Sequence, residues 1–184
     1  MMGSMLIANR QMKRQGPTPL GAVLRGLVAG AVGTAAMDLV WYARYRRGGG
    51  RASPLAWEFA APENWETAPA PAKVGRRLVE ALMQSELPAE RAALTNNIVH
   101  WSYGLLWGSL YGIVAGSVRS PRLLYGLPFG TAVWLAGYAM LPLAKLYKPP
   151  WEYDAATLAR DLSAHLAYGS AAAGAFRLLT DAGR

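Results

Sequence analysis

Four apolar stretches, each long enough to cross a lipid bilayer as a helix, constrain this chain more than any other feature. An α-helix rises about 1.5 Å per residue, so about 20 residues cross a hydrocarbon core of about 30 Å. Inside that core every backbone N–H and C=O group must be paired within the segment, as a helix pairs them. The sequence therefore predicts an all-α integral membrane protein, a four-helix transmembrane bundle. Its spans are predicted at 20–42, 96–118, 123–146 and 155–179.

The fourth stretch is the weakest of the four. Its uncharged part, Leu162–Phe176, is shorter than a standard span and rich in alanine. A re-entrant or surface helix is therefore kept as an alternative to a full crossing. The third stretch contains Pro128 and Pro142. Proline removes a backbone donor, so we expect this helix to kink or unwind locally at both positions.

Composition agrees with a membrane protein and limits the other classes. The chain is 53% hydrophobic and 16% charged, with a mean hydropathy of +0.12. A net charge of +8 would suggest nucleic acid in a soluble protein, but here basic residues flank the apolar stretches, as at Arg44, Arg46 and Arg47. That pattern favours anionic lipid, so the expected partner is the lipid bilayer and not nucleic acid. The chain contains no cysteine, which excludes disulfides and thiolate metal sites.

The remaining segments have predicted characters of their own. Residues 1–19 are expected to form a disordered tail, ahead of a four-span domain over 20–180. The 43–95 connection is rich in Gly and Pro, which is typical of a loop. Within it, residues 72–85 place apolar side chains at helical spacing. This predicts an amphipathic helix, either lying on the membrane surface or solvated and packed on the loop. A tight, charged turn is expected at 119–122.

A short pattern, [N/D]-x3-H-x2-Y-G, occurs twice and contains both histidines of the chain. It covers 96–104 in the second apolar stretch and 161–169 in the fourth. A Gly-Leu-x-x-Gly pattern is likewise shared by 26–30 and 126–130. The chain is therefore predicted to form two repeated helical hairpins. Because successive spans alternate in direction, the hairpins would be parallel repeats about a pseudo-two-fold axis along the membrane normal.

The repeat also predicts where polar side chains meet. Positions i, i+4 and i+7 of a helix share one side, so each copy of the pattern presents its polar residues together. Ionisable groups inside a membrane are expensive and suggest function. We therefore expect these groups to converge on a polar pocket that opens to one face of the bilayer. The predicted pocket residues are Asp38, Asn96, His100, Tyr103, Lys148, Glu152, Asp161, His165 and Tyr168.

Four interpretations of this pocket are open. The first is structural, with His and Tyr side chains bonded across helices. The second, which we favour, is a site that handles protons or a small solute. The third is a haem b held by His100 and His165, with room left by small residues such as Gly104, Gly108, Gly169 and Ala173. The fourth is a divalent metal bound by Asp38, His100, Asp161 and His165.

Several runs of this sequence resemble a known group of proteins. The runs are Pro69–Gly75, Val99–Gly104, Leu141–Asp154 and Asp161–Leu166. They are similar to uncharacterised bacterial membrane proteins and, more distantly, to the YagU-like family of inner-membrane proteins of unknown function. The long first loop departs from what that family leads us to expect. The resemblance implies a multi-pass protein of the bacterial plasma membrane and supplies no activity.

No catalytic motif is recognised in the sequence. It contains no Gly-x-Ser-x-Gly elbow, no His-Glu-x-x-His and no phosphate-binding loop, so we do not expect an enzyme. Basic residues are slightly more numerous on the long-loop face, which leans towards a cytoplasmic pocket. The membrane orientation, the substrate and a homo-oligomeric assembly stay open at this point.

Overall fold

A computed structural model describes residues 16–60, 62, 64–118 and 123–183. Throughout these ranges the regular structure is helical, without a β-strand, which confirms the all-α prediction. The α-helices are α1 (Pro19–Arg47), α2 (Pro54–Glu58), α3 (Ala70–Met83), α4 (Ala92–Ser117), α5 (Gly126–Leu143) and α6 (Ala155–Ala182). Single 3-10 turns lie at Ala89–Arg91, Leu123–Tyr125 and Pro150–Glu152.

Capping residues in the sequence account for the start of the two longest helices. The side chain of Thr18 accepts a hydrogen bond from the Gly21 N–H at 3.1 Å, and Pro19 occupies the first helical position of α1. At the start of α6, Asp154 accepts from the Thr157 N–H at 2.8 Å. Three arginines occupy the last turn of α1, where positive charge is favourable to the helix dipole.

The two prolines of α5 lie near its ends and not in its middle. Pro128 falls in the first turn, where its missing N–H needs no helical partner. Pro142 is followed by the last residue of the helix, and Lys145 then adopts a left-handed φ of 56°. The expected mid-helix kinks are therefore replaced by a shorter helix whose boundaries the prolines help to set.

The observed helices and the predicted stretches differ mainly at their ends. The first helix continues to Arg47, beyond the predicted end at residue 42. The second begins at Ala92, four residues ahead of the predicted start at residue 96. Residues 1–15 of the predicted tail (1–19) and the turn at 119–122 lie outside the described residues, and Pro19 belongs to the first helix.

The long helices pack in the order α4, α1, α6, α5. Helix α1 lies against both α4 and α6, α5 lies against α6, and α3 packs on α4. Arginine side chains attach α1 to α6 near both ends of the contact. Arg25 donates to the Leu179 carbonyl at 3.1 Å, and Arg44 donates to the Arg160 carbonyl at 2.9 Å.

Glycine brings the backbones of two helical pairs into direct contact. A β-carbon added at Gly26 of α1 would lie 2.5 Å from the Gly108 carbonyl oxygen of α4. A β-carbon at Gly126 of α5 would lie 2.5 Å from the Gly169 carbonyl oxygen of α6. Small residues permit this close approach between helices. The α1–α4 and α5–α6 pairs therefore share one packing geometry, as the repeated glycine pattern predicts.

Length and hydropathy distinguish the long helices from one another. Two segments, Pro19–Arg47 and Leu123–Leu143, are long and apolar enough to cross a membrane. Large apolar side chains are nevertheless exposed on all four long helices. Examples are Leu39 on α1, Val114 on α4, Met140 on α5 and Leu178 on α6, each more than 60% exposed.

Candidate functional site

A hydrogen bond between α1 and α4 forms the centre of the first polar cluster. The His100 Nε2–H donates to Oδ1 of Asp38 at 2.9 Å. The two side chains are only 22% and 17% exposed. The glycine contacts between α1 and α4 bring the two helices close enough for these side chains to form a direct hydrogen bond. This contact between two predicted pocket residues links positions that lie 62 residues apart in the chain.

The second carboxylate oxygen of Asp38 is left open. Oδ2 is buried and has no hydrogen-bond partner within the described part of the chain. A carboxylate oxygen carries lone pairs that normally accept hydrogen bonds when buried. The site therefore offers an acceptor that a proton or a hydrogen-bond donor would satisfy.

A glutamate from the long loop joins this cluster. Helix α2 lies over the pair because the Asn97 side chain donates to the Glu58 backbone carbonyl at 3.1 Å. Burial, with the nearby charge of Asp38, raises the pKa of Glu58, whereas a hydrogen bond from Trp101 and the proximity of His100 act in the opposite direction. The Glu58 carboxyl consequently holds its proton at higher pH than an ordinary glutamate.

Sequence analysis did not identify Glu58, although local signals for its helix exist. Ser53 caps α2 by accepting from the Ala56 N–H at 3.3 Å, and a proline follows it. Trp57 then packs edge-on to Tyr42 of α1, with ring centroids 5.5 Å apart. The capping Ser53, the following Pro54 and the apolar Trp57 are therefore local signals for a short helix that packs on the bundle. Five residues, however, are too few to show helical periodicity.

The second polar cluster surrounds Asp161 on α6. His165 Nδ1 donates to the backbone carbonyl of Asp161 at 2.9 Å and lies 3.7 Å from its carboxylate. The Tyr138 hydroxyl interacts with the same carboxylate from α5. Burial, with Asp161 and then Tyr153 nearby, raises the pKa of Tyr147 to about 12. The Tyr138 and Tyr147 hydroxyls therefore lie near this carboxylate.

Aromatic stacking holds the second cluster together. Tyr138, Tyr147 and Tyr153 form a triangle with centroid separations of 5.7, 5.6 and 6.2 Å. The Tyr138 hydroxyl bonds to Asp161, and the Tyr153 hydroxyl accepts from the Lys148 backbone N–H at 3.3 Å. The second cluster is therefore held together by ring contacts and by hydrogen bonds among its own groups.

The two clusters lie at similar depth but on different sides of the bundle. Gly33 packs against Tyr168, and Arg44 reaches Arg160, so the part of α1 between them runs beside residues 161–167. The apolar cluster of Met37, Val133, Ala164 and Tyr168 is buried between α1, α5 and α6. Within the described residues no hydrogen bond or ion pair joins His100 to His165. The predicted single pocket is thus divided into two polar clusters.

The other predicted pocket residues lie at several places in the bundle, and among them the Lys148 backbone N–H donates to the Tyr153 hydroxyl of the second cluster at 3.3 Å. Tyr168 is buried and donates to the Gly104 carbonyl at 2.7 Å, which links α6 to α4. Tyr103 is 37% exposed and packs edge-on against Trp107. Asn96 is partly buried, and its Oδ1 has no hydrogen-bond partner among the residues that the structure describes. Lys148 and Glu152 are exposed in the loop before α6.

When the α1–α4 and α5–α6 pairs are superposed by their glycine contacts, α4 and α6 are aligned one helical turn away from the alignment that the sequence pattern predicts. The glycine crossings equate Gly108 with Gly169. His100 then matches Asp161, since each lies eight residues before its glycine. The pattern had instead equated His100 with His165. The Asp38–His100 contact consequently corresponds to the Tyr138–Asp161 contact, and the second pair lacks an aspartate–histidine bond across helices.

The haem and metal alternatives require space between the helices, and the helices are closely packed there. Gly104 faces Thr34, Gly108 faces Gly30, and Gly169 faces Gly126, so helix packing occupies the room expected for a haem. Among the residues that the structure describes, no group of three or more His, Asp or Glu side chains is arranged to hold a metal ion. Both cofactor interpretations stay predictions with their own spectroscopic test.

Comparison with known proteins finds no matching protein family, no matching curated protein and no matching solved structure. The similarity to YagU-like proteins stays a prediction, and the functional conclusion depends on the site itself.

Proposed function

We propose that this chain is a multi-pass protein of the bacterial plasma membrane whose spans are α1, α4, α5 and α6. Exposed aliphatic side chains on all four helices support this topology, because such surfaces are favourable in lipid. Close glycine contacts between the helices support it as well, since packing rather than hydrophobic burial holds helices together in a bilayer. Both polar clusters then lie towards the face that carries the long loop.

We further propose that the Asp38–His100 pair binds and releases protons from that face. The observation that carries this proposal is the 2.9 Å bond together with the buried, unpartnered Oδ2 of Asp38. Imidazole is the side chain whose ordinary pKa lies closest to neutral pH. Because the Nε2–H proton already lies between the ring and the carboxylate, a further proton binds to Nδ1 of His100 or to Oδ2 of Asp38. The open oxygen provides a second position for a proton or for a donor group.

Glu58 supplies the route by which a proton reaches the pair. It is partly buried, and it lies close enough to Asp38 and His100 for their charges to act on it. Burial and the Asp38 charge raise the pKa of Glu58, so its carboxylate takes up a proton more readily than that of an ordinary glutamate. Proton relays in membrane proteins use carboxylate and histidine chains of this kind. Helix α2 therefore acts as the entrance of the site and not only as part of a linker.

The second cluster is assigned a structural role. His165 donates to the backbone of its own helix, and the Tyr138 hydroxyl bonds to Asp161 across helices. These contacts satisfy the polar groups inside the protein, which is what a structural interhelical network requires. His100 and His165 consequently have different roles, although they share one sequence pattern.

Infrared difference spectroscopy after a pH jump tests the proposed function. In lipid nanodiscs, the wild-type protein should show carboxyl and imidazole bands that change with pH. Because Glu58 and His165 carry groups of the same kinds, only the component of the carboxyl band that arises from Asp38 should be lost in Asp38→Asn, and only the component of the imidazole band that arises from His100 in His100→Gln. Glu86→Gln, at an exposed loop position, should retain both bands and serves as the matched control. Identical spectra from the wild type and both site variants would contradict proton exchange at the pair.

A further inference from the structure

An arginine side chain joins the end of α1 to the first turns of α6 on the face of the long loop. The Arg44 guanidinium donates to the Arg160 carbonyl at 2.9 Å and to Oγ of Ser163 at 2.6 Å. The same guanidinium lies over the ring of Trp41, 4.7 Å from its centroid. The positive charge of Arg44 is therefore held at a defined place between the two helices.

Two further arginines originate around the same contact. Arg47 follows Arg44 by three residues, so the two share one side of α1. Arg160 presents its carbonyl to Arg44, so its own side chain starts beside the Arg44 guanidinium. Both Arg47 and Arg160 are exposed. Because Cα–Cβ bonds in a helix tilt towards its N-terminus, that of Arg47 is directed back towards Arg44, and that of Arg160 towards the start of α6.

The arginine cluster, Arg44, Arg47 and Arg160, forms no ion pair with a carboxylate in the described part of the chain. Elsewhere in the fold an arginine does pair with an acidic residue, as in the salt bridge between positions 76 and 80. The acidic residues on either side of Arg160 have other partners, since Asp154 caps α6 and Asp161 accepts from a tyrosine. Like charges that gather without a counter-charge repel one another, so the cluster favours an anion from outside.

The proposed topology places this cluster at the level of the lipid head groups. Arg25, near the other end of α1, donates to the Leu179 carbonyl of α6. At about 1.5 Å per residue, Arg25 and Arg44 are about 29 Å apart along α1, close to the hydrocarbon thickness of about 30 Å. Trp41, which precedes Arg44, has the position of an interfacial aromatic residue. The arginine cluster consequently faces the phosphates of neighbouring lipids.

We propose that the arginine cluster binds the phosphate of an anionic phospholipid in the leaflet next to the long loop. Guanidinium groups match phosphate oxygens with paired N–H donors, and basic sites between membrane helices bind anionic head groups. A zwitterionic lipid carries its own cation, which competes with the arginines, so a net negative lipid is favoured. Ala156, one turn before Arg160 and exposed, leaves room for the head group. This inference rests on the proposed topology and is independent of proton exchange.

Lipid titrations followed by native mass spectrometry test the site. The detergent-purified protein receives phosphatidylglycerol or phosphatidylcholine with the same acyl chains, and saturable binding is expected for phosphatidylglycerol only. Arg47→Gln/Arg160→Gln should weaken that binding by about tenfold or more, because two charges next to the phosphate are lost. This variant keeps both hydrogen bonds of Arg44, since they use the backbone of residue 160 and the Ser163 side chain. The contact between α1 and α6 is therefore retained.

A matched variant distinguishes a site from general attraction between opposite charges. Arg46→Gln/Arg91→Gln removes the same charge from the same face of the protein. Arg46 lies about 200° around α1 from Arg44, and Arg91 precedes α4, and both are exposed. Binding of phosphatidylglycerol should fall by less than about threefold, since separate surface charges are screened. Equal losses in the two double variants, or equal binding of the two lipids by the wild type, would overturn the proposal.

Two additional measurements identify the source of the anion. Inorganic phosphate in excess should leave phosphatidylglycerol bound, and its displacement by phosphate would overturn the lipid site in favour of a soluble phosphate ligand. The oligomeric state should be the same in the wild type and in Arg47→Gln/Arg160→Gln. A dimer that is lost in this variant, without saturable lipid binding, would instead assign the cluster to an acidic surface of a second copy.

Alkaline carbonate extraction separates this proposal from the topology on which it rests. The protein should stay in the membrane fraction. If it stays there and shows no preference for phosphatidylglycerol, the lipid site is excluded and the topology stands. Release of the protein by carbonate would exclude the topology and the lipid site with it.

Discussion

Asp38 of α1 and His100 of α4 are joined at 2.9 Å, about two turns of α1 from Gly30 and about one turn of α4 from Gly104, where the two backbones meet. Both features belong to one helix crossing. The glycines set the distance between the helix axes, and that distance lets two short side chains meet without an intervening water. The geometry of the polar site therefore depends on residues that have no polar chemistry of their own.

The Asp38–His100 bond should be measurable as a coupling energy. Asp38→Asn, His100→Ala and the double variant form a double-mutant cycle in a reversible unfolding assay in detergent. We expect a coupling of about 1–2 kcal/mol, because polar contacts between membrane helices contribute about 0.6–2 kcal/mol. The same cycle with Asp161→Asn and His165→Ala should give a smaller value, since His165 bonds chiefly to a backbone carbonyl. Equal couplings would contradict the assignment of different roles.

The glycine crossing should not tolerate even one methyl group. A β-carbon at Gly30 would lie 2.5 Å from the Gly104 carbonyl oxygen, whereas one at Gly137 would meet no atom within 4 Å. Gly30→Ala should therefore lower the free energy of unfolding by about 1–3 kcal/mol through overpacking. Gly137→Ala should raise it by about 0.5–1 kcal/mol, because alanine is the better helix former. Thermal unfolding of both variants checks this, and equal midpoints would contradict the crossing.

The tyrosines at positions 103 and 168 should respond differently to loss of their hydroxyl groups. Tyr168 is buried and donates to the Gly104 carbonyl at 2.7 Å, so Tyr168→Phe should destabilise the fold by about 1 kcal/mol. Tyr103 is 37% exposed, and Tyr103→Phe should change stability by less than about 0.5 kcal/mol. Chemical unfolding in detergent measures both. A larger loss for Tyr103→Phe would contradict the placement of these side chains.

The docking of α2 should weaken as pH rises. The folded pKa of Glu58 is raised above its ordinary value of 4.5 by burial and by Asp38. Its contribution to docking is therefore fully present below that ordinary value and is lost as pH rises through the raised folded value. Amide exchange is base-catalysed, so the informative quantity is the protection factor of the α2 amides, which divides out the intrinsic rate and should fall across that interval. Glu58→Gln should abolish this fall, whereas Glu86→Gln should preserve it.

The cofactor alternatives have a direct spectroscopic test. Purified wild-type protein and the His100→Ala/His165→Ala double variant are compared by absorbance and by metal analysis. From the packed glycines we expect no Soret band and no stoichiometric metal in either sample. A Soret band or bound metal that is present in the wild type and absent from the variant would contradict the proposed proton site and would support a haem or metal site instead.

The four long helices could be predicted from the apolar stretches in the sequence, and their pairing from the repeated glycines. The polar residues that face each other across each pair could not be predicted in the same way. The His-x2-Tyr-Gly pattern compares residue types along the chain, whereas the crossing of the helices is set by backbone contact at Gly108 and Gly169. A shift of one turn keeps a residue on the same face of a helix. Sequence spacing therefore identifies the face and not the depth at which partners meet.

Glu58, the residue that the long loop contributes to the site, was not predicted for a different physical reason. Helix α2 has only five residues, and its position depends on Trp57 packing against Tyr42 and on Asn97 binding the Glu58 carbonyl. Those are tertiary contacts between segments that are far apart in the chain. Asp38, by contrast, is conspicuous in the sequence, because it is the only acidic residue in the first apolar stretch.

The most direct test of the central claim is the nitrogen NMR spectrum of His100 in nanodiscs between pH 5 and pH 9. Selective ¹⁵N-histidine labelling gives only two residues to assign, and His165→Gln identifies them. We expect the His100 ring to change protonation state within this interval and to do so at a different pH in Asp38→Asn. A ring that stays in one protonation state throughout, or titrates identically without the Asp38 carboxylate, would contradict a proton-exchanging pair.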